Sequence, residues 1–219
     1  MAEAGDPTLD EIRLQLAPEI ASAAVFDGWN AQAVAEAARV CGIDPDVAAY
    51  AFKGGAMDMI AAWIAHVDAR MEQAFPPERI AALKVRDRIR ALVWFRLEAV
   101  TGLEEALRRA LAIMAMPQNA TRALRLGWSS ADRMWRLAGD TAADHNHYTK
   151  RATLGAVYTA TLAVFVDDRS EGKAQTRAFL DRRIDGIMRF EKAKARWLRP
   201  PEDRFRLSRF LGRLRYPAR

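Results

Sequence analysis

Cysteine is nearly absent from this chain, with Cys41 alone among 219 residues. A single thiol cannot close an intramolecular disulfide or build a thiolate zinc site, which excludes a disulfide scaffold and a zinc ribbon. Cys41 reads as a small buried hydrophobe. Also missing is any run approaching the ~20 uninterrupted apolar residues of a membrane-spanning helix, so membrane contact, where made, is peripheral. There is no GxSxG, HExxH, P-loop or phosphate-binding glycine pattern, and no Glu-x-x-His pair of the di-iron bundles. No catalytic set emerges, so the expectation is a protein that is not an enzyme and holds no cofactor. The opening residues, Met1 to Glu11, contain acids and no early arginine, unlike a signal or transit peptide. They predict a bacterial cytoplasmic protein.

What is present is ordinary globular material, 51% hydrophobic and 28% charged, enough for one compact body plus a tail. The net charge of +6 is unevenly placed. From Arg189 to Arg219 there are eleven Lys/Arg and three Asp/Glu, a local net of +8, whereas residues 1–188 carry a net of −2. The basicity belongs to the tail.

Apolar residues recur at helical spacing throughout. Leu9, Ile12, Leu16 and Ile20 predict a helix over 8–25, ended by Phe26-Asp27-Gly28. Asn30 caps a second helix stopped by Gly42, and Asp44-Pro45 reads as cap plus first position of a third. Longer helices are predicted over 56–75, 78–100 and 103–114, broken by Pro76-Pro77 and Thr101-Gly102. Another lies between Pro117 and Gly139, and two more span 149–167 and 173–196. No strand is predicted. The chain reads as all-α.

Gly28-Trp29, Val34-Ala35-Glu36-Ala37-Ala38, Gly42-Ile43 and Phe52 resemble the helix-turn-helix of TetR-type regulators. Two positions depart from that pattern: Ala49 stands where those proteins typically have an aromatic, and Gly54-Gly55 where a lysine opens the next helix. Between Gly42 and Gly55 the only charges are Asp44, Asp46 and Lys53. The two acids suit a cap and a first helical turn, but they also repel phosphates where a DNA reader needs Lys or Arg. No specific nucleic acid is expected as a partner. A ligand-responsive TetR-type regulator is the alternative function.

The run Ala138-Gly139-Asp140-Thr141-Ala142-Ala143-Asp144-His145-Asn146-His147-Tyr148-Thr149-Lys150-Arg151 is similar to a signature of the ubiquinone-biosynthesis accessory family, the ninth of the coenzyme Q series. Met116-Pro117-Gln118-Asn119, Asp167-Asp168-Arg169-Ser170 and Phe179-Leu180-Asp181-Arg182-Arg183-Ile184 extend the similarity. His147 stands where the family has tryptophan, which supplies more apolar contact area. The resemblance implies a TetR-like helical bundle, a pocket for a lipid or isoprenoid quinone, and presentation of a quinone intermediate to the di-iron demethoxyubiquinone hydroxylase. It divides the matched part into a vestigial helix-turn-helix over 1–55 and a lipid-binding domain over 56–198, and the Pro200-Pro201 linker and local charge set off a basic amphipathic membrane-associating tail over 199–219. A homodimer, typical of TetR-like folds, is expected.

Methionine and aromatic residues suit an adaptable greasy cavity between bundle helices. The candidates for lining it are Trp94, Phe95, Met114, Met116, Trp128, Met134, Trp135, Tyr158 and Phe165. Asp144, Asn146, His147, Tyr148, Lys150 and Arg151 form the candidate partner surface, with a solvated Lys150-Arg151 pair as the other reading. Asp140, Asp144, His145 and His147 could be taken for metal ligands, but histidines at i and i+2 of a helix point to different faces. No metal is assigned. After Pro200-Pro201, Leu207, Phe210, Leu211 and Leu214 form one apolar stripe with Phe205 beside it, and Arg206, Arg209 and Arg213 lie on the polar arc. This pattern fits an anchor lying on an anionic lipid surface, the inner face of the cytoplasmic membrane, or else a helix that packs on the body or a dimer mate.

Overall fold

The computed structural model describes the backbone of residues 7–141 and 145–198, and their side chains except at 145, 146, 188 and 190–198. Among these residues there are ten α-helices and no strand. They are α1 (Leu9–Ala24), α2 (Ala31–Cys41), α3 (Pro45–Ala51), α4 (Ala56–Ala74), α5 (Pro77–Ala81), α6 (Val85–Glu98), α7 (Glu104–Met114), α8 (Ala120–Leu137), α9 (His145–Asp167) and α10 (Ala174–Leu198). The described residues up to Ile184 form one compact unit, and the end of α10 beyond them belongs to a second. The tail residues 199–219, including all eight candidate membrane-contact residues, lie outside the described residues.

Local chemistry sets the helix ends. Thr8 and Glu11 form a reciprocal capping box at the start of α1. The Asn30 side chain accepts from the backbone N–H of Gln32 and Ala33, and the Asp44 side chain does the same for Asp46 and Val47. Gly42 ends α2 in the left-handed region, at φ 66°, where a Cβ is strained. Pro18 lies inside α1 and cannot donate to the Leu14 carbonyl.

The predicted single helix over 78–100 is two helices. The chain turns between α5 and α6, and the Arg88 guanidinium gathers the carbonyls of Ala81, Leu83 and Ala138 at 2.9, 2.7 and 2.9 Å. No glycine or proline marks this break. The fixing group is an arginine several residues downstream, invisible to local punctuation.

Helices α1–α3 dock through specific bonds as well as apolar burial. Trp29 Nε1 donates to the Ala106 carbonyl on α7 at 2.9 Å, and its ring lies 5.3 Å from that of Trp63 on α4. Arg13 Nε donates to the Ala51 carbonyl, joining α1 to the end of α3. At the other end of the unit, the Asp168 carboxylate accepts from the N–H and hydroxyl of both Ser170 and Thr176, at 2.5 to 2.8 Å. This closes the turn from α9 into α10. These bonds overcome the effect of burial and hold the Asp168 pKa far below the usual carboxylate range.

Candidate functional site

Helices α4, α6, α7, α8 and α9 enclose a cavity of about 910 Å³, a volume suited to a substantial apolar ligand. Its wall takes Ile60, Trp63, Ile64 and Val67 from α4, and Leu107, Ala110, Leu111 and Met114 from α7. Helix α8 supplies Ala120, Ala123, Leu124, Gly127, Trp128 and Ser130. Helix α9 supplies mainly small residues, including Ala152, Gly155, Ala156, Thr159 and Ala163. The space has a simple origin. Where α8 and α9 approach, a Cβ on Gly155 would lie 4.0 Å from the Gly127 carbonyl oxygen and from Ala131 Cβ. Along the rest of this face, short side chains leave unfilled the volume that larger ones would occupy. Leu124 and Trp128 are in the wall and yet exposed, so the cavity opens to solvent beside them.

One corner of this apolar cavity is charged. Arg96 reaches it from α6 and is 2% exposed. Its Nη1 pairs with the equally buried Asp68 of α4, its Nη2 donates to Ser130 Oγ at 3.1 Å, and its guanidinium carbon lies 5.0 Å from the Tyr158 ring centroid. Burial pushes the Asp68 pKa up, against the pull of Arg96 and of Arg133, whose Nε is 3.5 Å away. Burial also works against the charge on Arg96, but Tyr158 and Asp68 more than restore it.

Of the nine candidate lipid contacts, Met114, Trp128 and Tyr158 are in the cavity wall. The other six are not: five project from other helix faces, and Met116 lies in the connection after α7. Met134 and Phe165 are packed core, at 0% and 1% exposure. Phe95 meets Phe75 edge-on at 5.7 Å. Trp94 donates to Glu98 while Arg177 stacks on its ring at 3.8 Å. Trp135 Nε1 donates to the Lys150 carbonyl at 3.0 Å, and Met116 is exposed. Trp63 is a wall aromatic that the candidate set omits, whereas Ile60, Ile64, Val67, Arg96, Ser130 and the small-residue face of α9 carry no aromatic or methionine signal, and selection by those residue types passes over them. Recurrence of Ala, Gly and Thr every three or four residues in α9 is the one sequence feature that points to the face.

On the candidate partner surface, Tyr148 is 64% exposed, and with His147 and Trp128 it forms an aromatic group with ring centroids 5.2 to 6.5 Å apart. This group lies beside the cavity opening, since Trp128 belongs to both. Arg151 is a correction. It is 2% exposed, pairs with Asp132 and Asp140 at 2.5 and 3.0 Å, and lies in the cavity wall, so it is neither solvated nor available to a partner. Asp140 also takes Lys150 at 2.6 Å, and these two bases outweigh burial and hold its pKa low. Asp144 and the Asn146 side chain lie outside the described residues. Among the described residues, no group of three His, Cys, Asp or Glu side chains could hold a metal ion, and no helix is long and apolar enough to cross a membrane.

The helix-turn-helix surface presents Val47 and Tyr50 to solvent, with Lys53 Nζ 4.7 Å from the Tyr50 ring centroid. Asp44 is engaged as a cap, so α3 has no base and two acids at its start.

Known proteins match this arrangement at two levels. In fold, the chain is similar to the crystal structure of a TetR transcriptional regulator from Nitrosomonas europaea ATCC 19718, with a TM-score of 0.63 at 19% identity, covering 80% of this chain and 96% of that one. The architecture is an all-α, TetR-like bundle. In sequence, the chain is 34% identical over 168 residues to the ubiquinone biosynthesis protein COQ9, mitochondrial, of Rattus norvegicus, covering 74% of this chain and 54% of the relative. It is 32% identical to the Homo sapiens protein of that name, with 74% and 52% covered, and 27% identical to the Drosophila melanogaster one, with 86% and 59% covered. The chain thus spans little more than half the length of these curated relatives. The COQ9 family domain matches residues 120–191, which run from the start of α8 into α10 and include the small-residue face, the aromatic group and the Asp168 turn. The chain is a homologue of the COQ9 proteins, built on a TetR-like fold.

Proposed function

We propose that this chain is a lipid-binding accessory protein of ubiquinone biosynthesis, which takes an isoprenoid quinone intermediate from the membrane and presents it to the di-iron demethoxyubiquinone hydroxylase without catalysing a step itself. The observation that carries this reading is the apolar cavity, about 910 Å³, opening beside Trp128 and walled in part by the COQ9-matched helices. A chain of isoprene units is apolar, and its transfer from water into such a space is favourable in proportion to the area it hides. The exposed His147–Tyr148–Trp128 group offers the hydroxylase an aromatic contact at the opening, with Lys150 beside it. The protein works as a peripheral homodimer on the inner face of the bacterial cytoplasmic membrane, held by its basic amphipathic tail.

Native mass spectrometry of gently purified protein, followed by organic extraction, tests the reading. A bound isoprenoid or acyl lipid is expected, and Trp128→Glu should lower its occupancy by placing a charge in the wall. Protein that is lipid-free and takes up no quinone from vesicles sinks the proposal. Tyr148→Ala should weaken capture of the hydroxylase with little change in thermal stability, because the side chain is exposed.

A further inference from the structure

Three donors meet at the charged corner with no acceptor left for them. Arg96 Nε is buried and has no hydrogen-bond partner. Ser130 Oγ accepts from Arg96 Nη2, and no carbonyl or carboxylate among the described residues accepts its proton. The Tyr158 ring stands beside the same guanidinium, a group that can only donate, so the phenol proton finds no acceptor there. The acceptor present, Asp68, is already engaged by Arg96 and approached by Arg133. All three donor side chains belong to the cavity wall.

Charge narrows the choice of what could satisfy them. Arg96 is offset by Asp68, Arg133 by Glu72 at 2.7 Å, and Arg151, also in the wall, by Asp132 and Asp140. A phosphate or carboxylate entering here would bring a buried charge without a counterion, which is costly, while a neutral oxygen would satisfy donors at no such cost. A ligand hydroxyl would add another donor to a corner that has no free acceptor.

Building on the lipid-binding reading above, we propose that Arg96, Ser130 and Tyr158 form a receptor for a neutral carbonyl oxygen, so that a ligand enters with its oxygenated end at this corner and its hydrocarbon chain along the small-residue face of α9. Arg96 Nε and the hydroxyls of Ser130 and Tyr158 are the donors, and Arg96 also positions the other two, since a guanidinium can only donate and so leaves both hydroxyl protons free. A quinone ring and an acyl ester share this chemistry.

Binding to the full chain is measured by titration calorimetry with three probes of matched chain length: a decyl-substituted benzoquinone, methyl decanoate and decylbenzene, which has no oxygen. The quinone is expected to bind about tenfold or more tighter than decylbenzene, the effect of one or two added hydrogen bonds. An ester that matches the quinone assigns the corner to any carbonyl, and one that matches decylbenzene assigns it to the quinone ring. The Ser130→Ala/Tyr158→Phe double variant removes two of the three donors without altering the ion pair, and it should cut the quinone's advantage over decylbenzene severalfold while leaving decylbenzene unchanged. Equal binding of all three probes to the unaltered protein, or a quinone preference undiminished in the folded double variant, overturns the proposal and leaves lipid binding intact. If none of the three binds, the lipid-binding reading itself fails.

Discussion

Replacing Arg96 by methionine isolates the energetics of the buried corner. Arg96 and Asp68 are each 2% exposed, and Asp68 would keep only Arg133, at 3.5 Å from its second oxygen. Breaking a buried pair by removing one partner costs about 3–5 kcal/mol, because the remaining charge is left uncompensated. For a chain of this size that lowers the midpoint of thermal unfolding by roughly 6–20 °C. The loss should depend on pH, with a definite sign. Burial already pushes the Asp68 pKa above its ordinary value, and removing Arg96, the strongest opposing partner, pushes it further. A carboxyl whose pKa is higher folded than unfolded stabilises the fold most at low pH, and that stability is lost as pH rises through the folded value. The penalty of Arg96→Met should therefore be largest at neutral pH and shrink on acidification. The Asp68→Leu/Arg96→Met double variant, with no charge left to bury, should be much less damaged than the sum of its single changes. Urea unfolding of the four proteins between pH 5 and pH 8 provides the check. A single-variant cost below about 1 kcal/mol at neutral pH, or one that does not change with pH, would refute the account of a desolvated, mutually dependent pair.

Asp168→Ala should cost about 3 kcal/mol or more, because it removes four hydrogen bonds to a carboxylate, two of them from backbone N–H groups that have no other acceptor nearby. Since the folded pKa of Asp168 is depressed, its contribution is full above the unfolded value near 4 and lost below it, so the gap between wild type and variant in chemical denaturation should close in acid. Vesicle flotation should show binding that rises with anionic lipid, falls with salt and disappears in Phe210→Glu/Leu211→Glu; equal binding to neutral vesicles would remove the case for a basic anchor. Deleting residues 200–219 should abolish any salt-sensitive retention on DNA, because α3 has no base; a truncated chain that still shifts a specific fragment would restore the regulator reading.

Helix after helix was legible in this sequence because the signals that end helices are local. Asn30, Gly42 and Asp44-Pro45 each act within a few residues of themselves, and the structure uses all of them as caps or stops. The break between α5 and α6 was not legible, since Arg88 fixes it by gathering carbonyls from two separate stretches of chain, Ala81 with Leu83 and the distant Ala138. The cavity divides along the same line. Met114, Trp128 and Tyr158 could be named from residue type, but Trp94, Phe95, Met134, Trp135 and Phe165 are of the same types and face elsewhere, because a large apolar side chain serves core and pocket equally well. What distinguishes the pocket is where bulk is missing, on the Ala152–Gly155–Ala156–Thr159 face of α9, and missing volume has no meaning until the opposing helix is in place. Arg151 shows the same limit for charge. An arginine next to a lysine in a polar run reads as surface, and only the arrival of Asp132 from α8, with Asp140 ahead of α9, turns it inward. Capping is encoded within single segments of this chain, whereas pocket and polarity are properties of pairs of segments, so the family resemblance had to supply what periodicity could not.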